Sequence, residues 1–457
     1  MEAGLFRFLR FSLGLEGEAK GLLDGRKGSF DWDACYQFAK RQTLVGVLFD
    51  GIQRLPKELA PARPLLLRWL SDSESIRRRN MRMDRASAYI YNKVCAAGFR
   101  CCILKGQGNA LLYPHPSSRI PGDVDVWVMA NREELRHIAL SLTEGDGSSL
   151  QESLNHIGLT VHGVSAELHS TPALLNSPLH NSRLQKWLKR NADLQCSNRI
   201  ALPNNAGEVA VPTLSFNIIY QLCHLFHHCF YEGVGLRQIV DYYFVLKNTD
   251  FSGNTNGISG NTDEGCLFLN TDYTDFTDRF SGNTDEDGGL SNTDYTDSTD
   301  SSSGDFEGDG CLLNTDCADF LDSSSGGLGE VDSGGALVAL QEELKWLGLW
   351  EFAGAVMYVL REVMGLDEKR MICAPDERRG RLLLEEIMAG GNFGHYDTRN
   401  HFGQGALWHN IQRFRRDWRM LRFYPSEALS EPLFRACHFL WRWKQKHTGM
   451  PKERNLN

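Results

Sequence analysis

Apolar residues along the chain follow a helical period at both ends and a strand period in one stretch between them. Before about residue 95 the spacing predicts helices; the run from Ser75 to Arg85 continues into ASAYIYNKVCAAG with apolar positions three and four apart. Arg100 to Leu104 is then a short apolar run ending at Lys105-Gly106, as a buried strand would end. A short helical piece is expected from Gly108 to Tyr113, stopped by Pro114 and Pro116. Gly122 to Val128 alternates polar and apolar at its start and predicts a second strand. A helix from Asn131 to Leu142 and a further strand from Leu159 to His169 follow.

From Pro212 the period turns helical again, through LSFNIIYQLCHLFHHCF and GVGLRQIVDYYFVL. It resumes from Ala336 to Gly365, and further helices are expected at 378–390, 405–422 and 430–447. Strands alternating with helices between long helical regions define an α+β fold with a small mixed sheet. The expected organisation is an N-terminal helical region at 1–94 and an α/β unit at 95–205. A helical domain then occupies 206–247 and 335–457, interrupted by an insert at 248–334.

Charge singles that insert out. The chain has 49 Lys+Arg and 58 Asp+Glu, a formal net charge of −9. The insert alone holds twenty acids and one base, Arg279, a net of −19. Without it the other 370 residues carry +10. It is a tandem array of 22-residue units beginning at Ser259, Ser281 and Ser303, with a truncated unit at Ser252. No unit has calcium-loop or nonapeptide spacing, and few large apolar residues are present to offset the entropy of ordering. The expectation is a disordered loop grown by duplication, unconnected with chemistry.

Other classes fall away. The N-terminal apolar pieces are broken by Arg7, Arg10 and Glu16, so no secretory signal is expected. Leu344 to Gly365 carries Lys345, Glu351 and Arg361, which argues against a membrane span. The 12 cysteines form no Cys-x-x-Cys pair and fit reduced, packed thiols in a cytoplasmic protein.

The strongest chemical signal is Asp123-Val124-Asp125. Side chains two apart in a strand share a face, about 7 Å apart at a rise of ~3.3 Å per residue. Two carboxylates so placed are costly together unless a cation lies between them. Their oxygens suit Mg²⁺, and Glu167 in the later strand could supply a third ligand for displacement at phosphorus. Lys105-Gly106 at a strand-to-helix turn, and Arg119 before the acidic strand, could hold phosphates; an ordinary turn and a surface arginine are the alternatives.

These residues resemble the uncharacterised bacterial nucleotidyltransferase family of the polymerase-β-like superfamily. The resemblance rests on Leu104-Lys105-Gly106, Tyr113-Pro114, Arg119, Gly122-Asp123-Val124-Asp125 and Glu167-Leu168-His169. It extends to the helical stretch HLFHHCFYEGVGLRQIVDYYFVL from His224 to Leu246, to GGNFG at 390–394 and to FYPSEAL at 423–429. It implies that Asp123 and Asp125 bind Mg²⁺ and that Glu167 is the third acid, able to help deprotonate an attacking hydroxyl. Lys105, Gly106, Gln107, Arg119 and Arg237 would then contact the nucleotide. Gln107 stands where the superfamily usually has Ser or Gly after the first glycine.

Three further clusters are weighed against plainer readings. Cys223, His224, His227, His228 and Cys229 invite zinc, but offer paired helix positions with no closing partners, so cleft-lining or packed histidines are preferred. Arg237, Gln238 and Asp241 form a polar helix face that could meet a nucleotide or bury an Arg–Asp pair. Arg413, Arg415, Arg416, Arg419 and Arg422 could meet RNA; an exposed helix face is preferred. The expected activity is Mg²⁺-dependent transfer of a nucleoside monophosphate from an NTP, ATP foremost, to an acceptor hydroxyl on a protein, small molecule, sugar or RNA. The alternatives are a non-catalytic nucleotide-binding or scaffolding protein on the same fold, and phosphodiester hydrolysis by the same acids.

Overall fold

The alternation around Asp123 becomes β2 (Val124–Val128), the second strand of a five-stranded mixed sheet. β1 (Cys101–Leu104) pairs with it antiparallel and β5 (Val164–His169) pairs with it parallel. β4 (His156–Val161) and β3 (Gln151–Glu152) follow antiparallel, giving the order β1-β2-β5-β4-β3. All five residues of β2 are buried, as expected of a strand covered on both faces. The computed structural model describes residues 2–17, 30–145, 147–249, 251, 333–397, 399 and 406–447. The acidic repeats, and with them their expected disorder, lie outside the described residues.

The expected strand from Leu159 to His169 is two strands. His162 and Gly163, with φ of 50° and 72°, turn the chain between β4 and β5. Two consecutive left-handed residues make the two-residue hairpin turn whose twist matches the flanking strands. The apolar alternation runs through both arms and hides the reversal.

Helices cover the sheet. α4 (Arg63–Ala96) has 34 residues, a length of about 51 Å at 1.5 Å per residue. It packs on the sheet with α6 (Arg132–Leu142), which opens on a capping box between Asn131 and Glu134. Alternation gives these helices the face carrying Val124, Val126 and Leu168. The other face turns Trp127 onto Phe216 of α8 (Leu214–Tyr231), with ring centroids 5.9 Å apart. The short helix expected at 108–113 is α5 (Gly106–Ala110), a single turn that starts at the glycine. Residue periodicity did not reveal α7 (Pro178–Ser197) or the separate hairpin of β6 (Arg199–Leu202) and β7 (Gly207–Ala210).

α8 and α9 (Leu236–Asn248) are buried on nearly all sides, their polar residues Asn217, Gln221, Arg237, Gln238 and Asp241 included. α11 (Trp350–Val359) and α13 (Ala406–Leu421) pack on α8, α10 (Ser333–Trp346) and α12 (Glu377–Gly390) pack on α11, and α14 (Pro425–His447) packs on α13. At the other end lie α1 (Glu2–Ser12), α2 (Trp32–Arg41) and α3 (Val45–Gln53), closed by an aromatic group in which Trp69 donates to the Val45 carbonyl at 2.9 Å. Gln42 ties both ends to the centre, donating to the Ile387 carbonyl at 3.0 Å and accepting from Leu236 N at 2.9 Å. Among the described residues no helix is long and apolar enough to cross a membrane.

Candidate active site

Register brings the acids together. In the parallel pair, Asp125 stands directly opposite Glu167, and Trp127 opposite His169. Side chains level across adjacent strands project from the same face, and Asp123 shares it two residues back. One carboxylate oxygen from each of Asp123, Asp125 and Glu167 lies within 4.8 Å of the others. They stand in a cleft of about 800 Å³ walled by the sheet, α8, α9 and α14.

Two cations meet the central acid. Lys105 Nζ lies 3.0 Å from Asp125 Oδ2, and His169 Nε2 lies 3.0 Å from Asp125 Oδ1. Burial alone would raise Asp125, but Lys105 and His169 outweigh it and hold the carboxyl well below the usual range. Asp123 has no such partner among the described residues. The charge on Asp125, then burial, pushes Asp123 up to about 6. That asymmetry marks the side of the cluster where Lys105 compensates the negative charge least, and where a hard cation fits three oxygen donors.

His169 also reaches Glu167 Oε2 at 3.3 Å, and His156 Nε2 lies 3.6 Å from Glu167 Oε1. Burial works against a charged His169, yet its bonds to Asp125 and Glu167 raise it to about 9. Burial likewise opposes ionisation of Glu167, and the hydrogen bond and charge of His169 lower it overall.

Lys105 sits at the turn itself. Its φ of 46° and ψ of −125° are sparsely populated for a residue with a side chain, a cost of about 1–3 kcal/mol. The neighbouring Gly106 has a φ of 33°, a conformation that glycine adopts without the strain a side chain would bring. The conformation aims the ammonium between Asp125 and His224 Nε2, the latter 3.2 Å away. His224 meets His228 Nε2 at 3.0 Å, and His228 Nδ1 lies 3.3 Å from Glu232 Oε2. These histidines therefore line the cleft. Burial lowers His224 well below its ordinary value and His227 to about 3, keeping both neutral.

The expected nucleotide contacts divide. Lys105, Gly106, Arg119 and Arg237 line the cleft. Gln107 does not: its amide turns away to donate to Asp84 of α4, inside the protein. Arg119 is bound bidentately by Asp241, Nε to Oδ1 and Nη2 to Oδ2 both at 2.7 Å, with Tyr113 donating to Oδ1 at 2.7 Å. The buried Arg–Asp pair anticipated on α9 is thus made by Arg119 across the cleft wall. Arg237 instead donates to the Ile120 carbonyl at 2.9 Å, and its buried Nε has no partner.

The arginines of α13 face inward in part. Arg416 donates to the Tyr231 carbonyl at 2.6 Å and Arg419 pairs with Glu386 at 3.2 Å. Arg413 lies among residues whose side chains are outside the described set. His156, beside the acid cluster, is a residue that motif and spacing did not single out. Its only signal is a position opposite His169, which needs the hairpin register.

The chain belongs to the family described as uncharacterised nucleotidyltransferase, which matches residues 28–259. No curated protein and no solved structure matches it. Membership supports nucleotidyl transfer on a nucleotide substrate, and the acidic cluster lies inside the matched stretch.

Proposed function

We propose that the protein transfers a nucleoside monophosphate from an NTP, ATP foremost, to an acceptor hydroxyl, with Mg²⁺ as cofactor. The observation that supports this best is the convergence of Asp123, Asp125 and Glu167 on one face of a parallel strand pair, within the family-matched stretch. The three carboxylates supply the oxygen donors Mg²⁺ prefers, with Asp123 the member whose neighbouring Lys105 does not offset the charge of Asp125 and burial. Bound there, Mg²⁺ would neutralise the acids and the triphosphate and draw electron density from phosphorus.

The protein's own groups do the rest. The acceptor oxygen attacks the α-phosphorus in line, the bond to the pyrophosphate oxygen breaks, and the acceptor proton passes to Glu167. His169 orients both Asp125 and Glu167 through one nitrogen. Lys105 is within reach of phosphate oxygens on the cleft side of Asp125, and Arg237 adds a second positive charge. Arg119, engaged by Asp241, acts by fixing the loop before β2. The chemistry falls in the segment 95–205, and the helical segments 206–247 and 335–457 provide the walls. The nine described cysteines are free thiols, in keeping with a cytoplasmic setting.

Incubating the protein with labelled NTPs and a cell extract tests the reading. A labelled component should appear with wild type and vanish in the folded D123N/D125N double variant; labelling that persists in the double variant overturns the assignment. One feature favours a second reading, a non-catalytic nucleotide-binding protein: Asp125 is already neutralised by Lys105 and His169. Calorimetry with ATP, with and without Mg²⁺, followed by a pyrophosphate-release assay separates the two. Binding without release across acceptors supports the second.

A further inference from the structure

The carboxylate of Glu167 is held between two imidazoles. β4 and β5 place His156 directly opposite His169, with ring centroids 5.1 Å apart. The residue opposite Glu167 is Gly158, so no side chain intervenes on that face. His156 Nε2 approaches Glu167 Oε1 at 3.6 Å and His169 Nε2 approaches Glu167 Oε2 at 3.3 Å.

Hydrogen bonding sets the direction of these nitrogens. His156 Nδ1 lies 3.2 Å from Asn155 Oδ1. With the ring neutral and Nδ1 donating to that oxygen, Nε2 is a lone pair directed at Glu167. That lone pair faces a carboxylate oxygen, an arrangement that repels unless a cation joins the two atoms. His169 is the more buried of the two rings. Its side chain is only 8% exposed, and its Nδ1 is buried without a partner. The ring is thus held entirely through the Nε2 that points at the acids.

We propose that His156, Glu167 and His169 bind a first-row divalent transition metal, beside the Asp123/Asp125 pair and sharing Glu167 with it. One ligand atom from each of the three lies within 4.8 Å of the others. Bonds of about 2.0–2.2 Å to nitrogen and oxygen hold ligand atoms roughly 3.0–3.4 Å apart, so the observed spacing closes with small side-chain movements. Two imidazoles and a carboxylate suit Mn²⁺, Co²⁺ or Zn²⁺, whereas Mg²⁺ takes oxygen donors. A ligating His169 Nε2 is a lone pair, so its proton leaves to solvent when the metal binds and the ring no longer donates to Asp125 or Glu167. The pocket would thereby hold two chemically distinct cation positions, one all-oxygen and one rich in nitrogen. The inference shares Glu167 with the transfer reading but does not need a nucleotide to be transferred.

The test uses the full-length protein stripped of metal and titrated with Mn²⁺, following free ion by electron paramagnetic resonance. Pulsed measurement of the bound ion then detects coupling to ¹⁴N. Wild type should bind Mn²⁺ with imidazole nitrogen coupling that survives a large excess of Mg²⁺. H156Q and H169Q should each weaken binding by about tenfold or more and reduce the nitrogen coupling, while D123N should retain it. His156 is a quarter exposed, so H156Q, checked by far-UV circular dichroism, decides the question if H169Q fails to fold. Bound Mn²⁺ without nitrogen coupling, displacement by Mg²⁺, or unchanged binding in H156Q overturns the site. Nitrogen-coupled Mn²⁺ in a protein that labels no acceptor would sink the transfer reading and leave this one standing. Labelling with Mg²⁺ but no nitrogen coupling would do the reverse.

Discussion

Lys105 Nζ and Asp125 Oδ2 lie 3.0 Å apart at the floor of the cleft, and the neighbouring Asp123 has no comparable cation among the described residues. Two acids of one short strand thus have opposite electrostatic standing. Asp125 is stabilised as an anion, while Asp123 is destabilised by it.

The two acids should therefore respond in opposite ways to neutralisation. In EDTA near pH 7.5, D123N relieves like-charge repulsion and should raise stability by about 1 kcal/mol. D125N leaves Lys105 and His169 without their carboxylate and should lower it by roughly 3 kcal/mol. Both should abolish transfer. Thermal melts of the two variants check this, and equal shifts of the same sign would contradict it.

The pair of Arg119 and Asp241 is buried, 4% and 7% exposed at the side chain. Removing one partner strands a charge, so R119A or D241A should cost about 3–5 kcal/mol in denaturant unfolding. R119K should recover little, because a single ammonium cannot reproduce the bidentate geometry. The apolar double variant R119M/D241L should recover most of the loss. If R119K is as stable as wild type, the pair is not what holds this wall.

Asp50 on α3 supplies a pH dependence remote from the acids. Burial pushes its carboxyl up to about 7, against the hydrogen bond from Ser118 Oγ at 2.9 Å and the charges of Arg77 and Arg54. Its folded value lies above its unfolded one, so the native state binds the extra proton between about pH 4 and 7. Stability from this group is therefore greatest below about pH 4 and declines as pH rises through 7. D50N keeps an acceptor for Ser118 and loses the titration. Above pH 7 it should exceed wild type by on the order of 1–3 kcal/mol, with the gap closing toward pH 4. Unfolding curves across pH 4–8 measure that gap.

Gly46 on α3 packs against the loop that carries Arg119. An added Cβ would overlap the Ser118 carbonyl. G46A should cost about 1–3 kcal/mol and, by shifting Arg119, weaken nucleotide affinity as well. Calorimetry with ATP alongside a melt reads both; a stability loss with unchanged affinity would detach this loop from nucleotide binding.

The acidic strand was readable because its chemistry and its period coincide: Asp123 and Asp125 alternate with Val124 and Val126 in a run too short to be anything else. Glu167 was readable as a residue on a strand, but its place opposite Asp125 depends on β5 lying between β2 and β4. Period alone could not locate the turn at His162-Gly163, since apolar residues alternate on both sides of it. A histidine followed by glycine within a strand-like run was the available cue. The bidentate pair of Arg119 and Asp241 spans 122 residues and leaves no local trace. Gln107 shows the limit of arguing from a turn motif, because burial beside Asp84 gave its amide a partner inside the protein. His156 illustrates the same limit from the other side, since an isolated histidine becomes informative only when register gives it a neighbour.

Glu427 of α14 accepts hydrogen bonds from the amides of Asn176 and Ser177, at 2.7 and 3.2 Å, across some 250 residues. The segment that leads into those amides, Pro172 to Leu174, forms part of the cleft lining. The three acids, by contrast, lie within 45 positions of one another. During synthesis the sheet can bring its carboxylates together long before residue 427 has left the ribosome. The charge centre of the cleft can thus form from a short stretch of chain, whereas its rim closes only once the much later Glu427 is available.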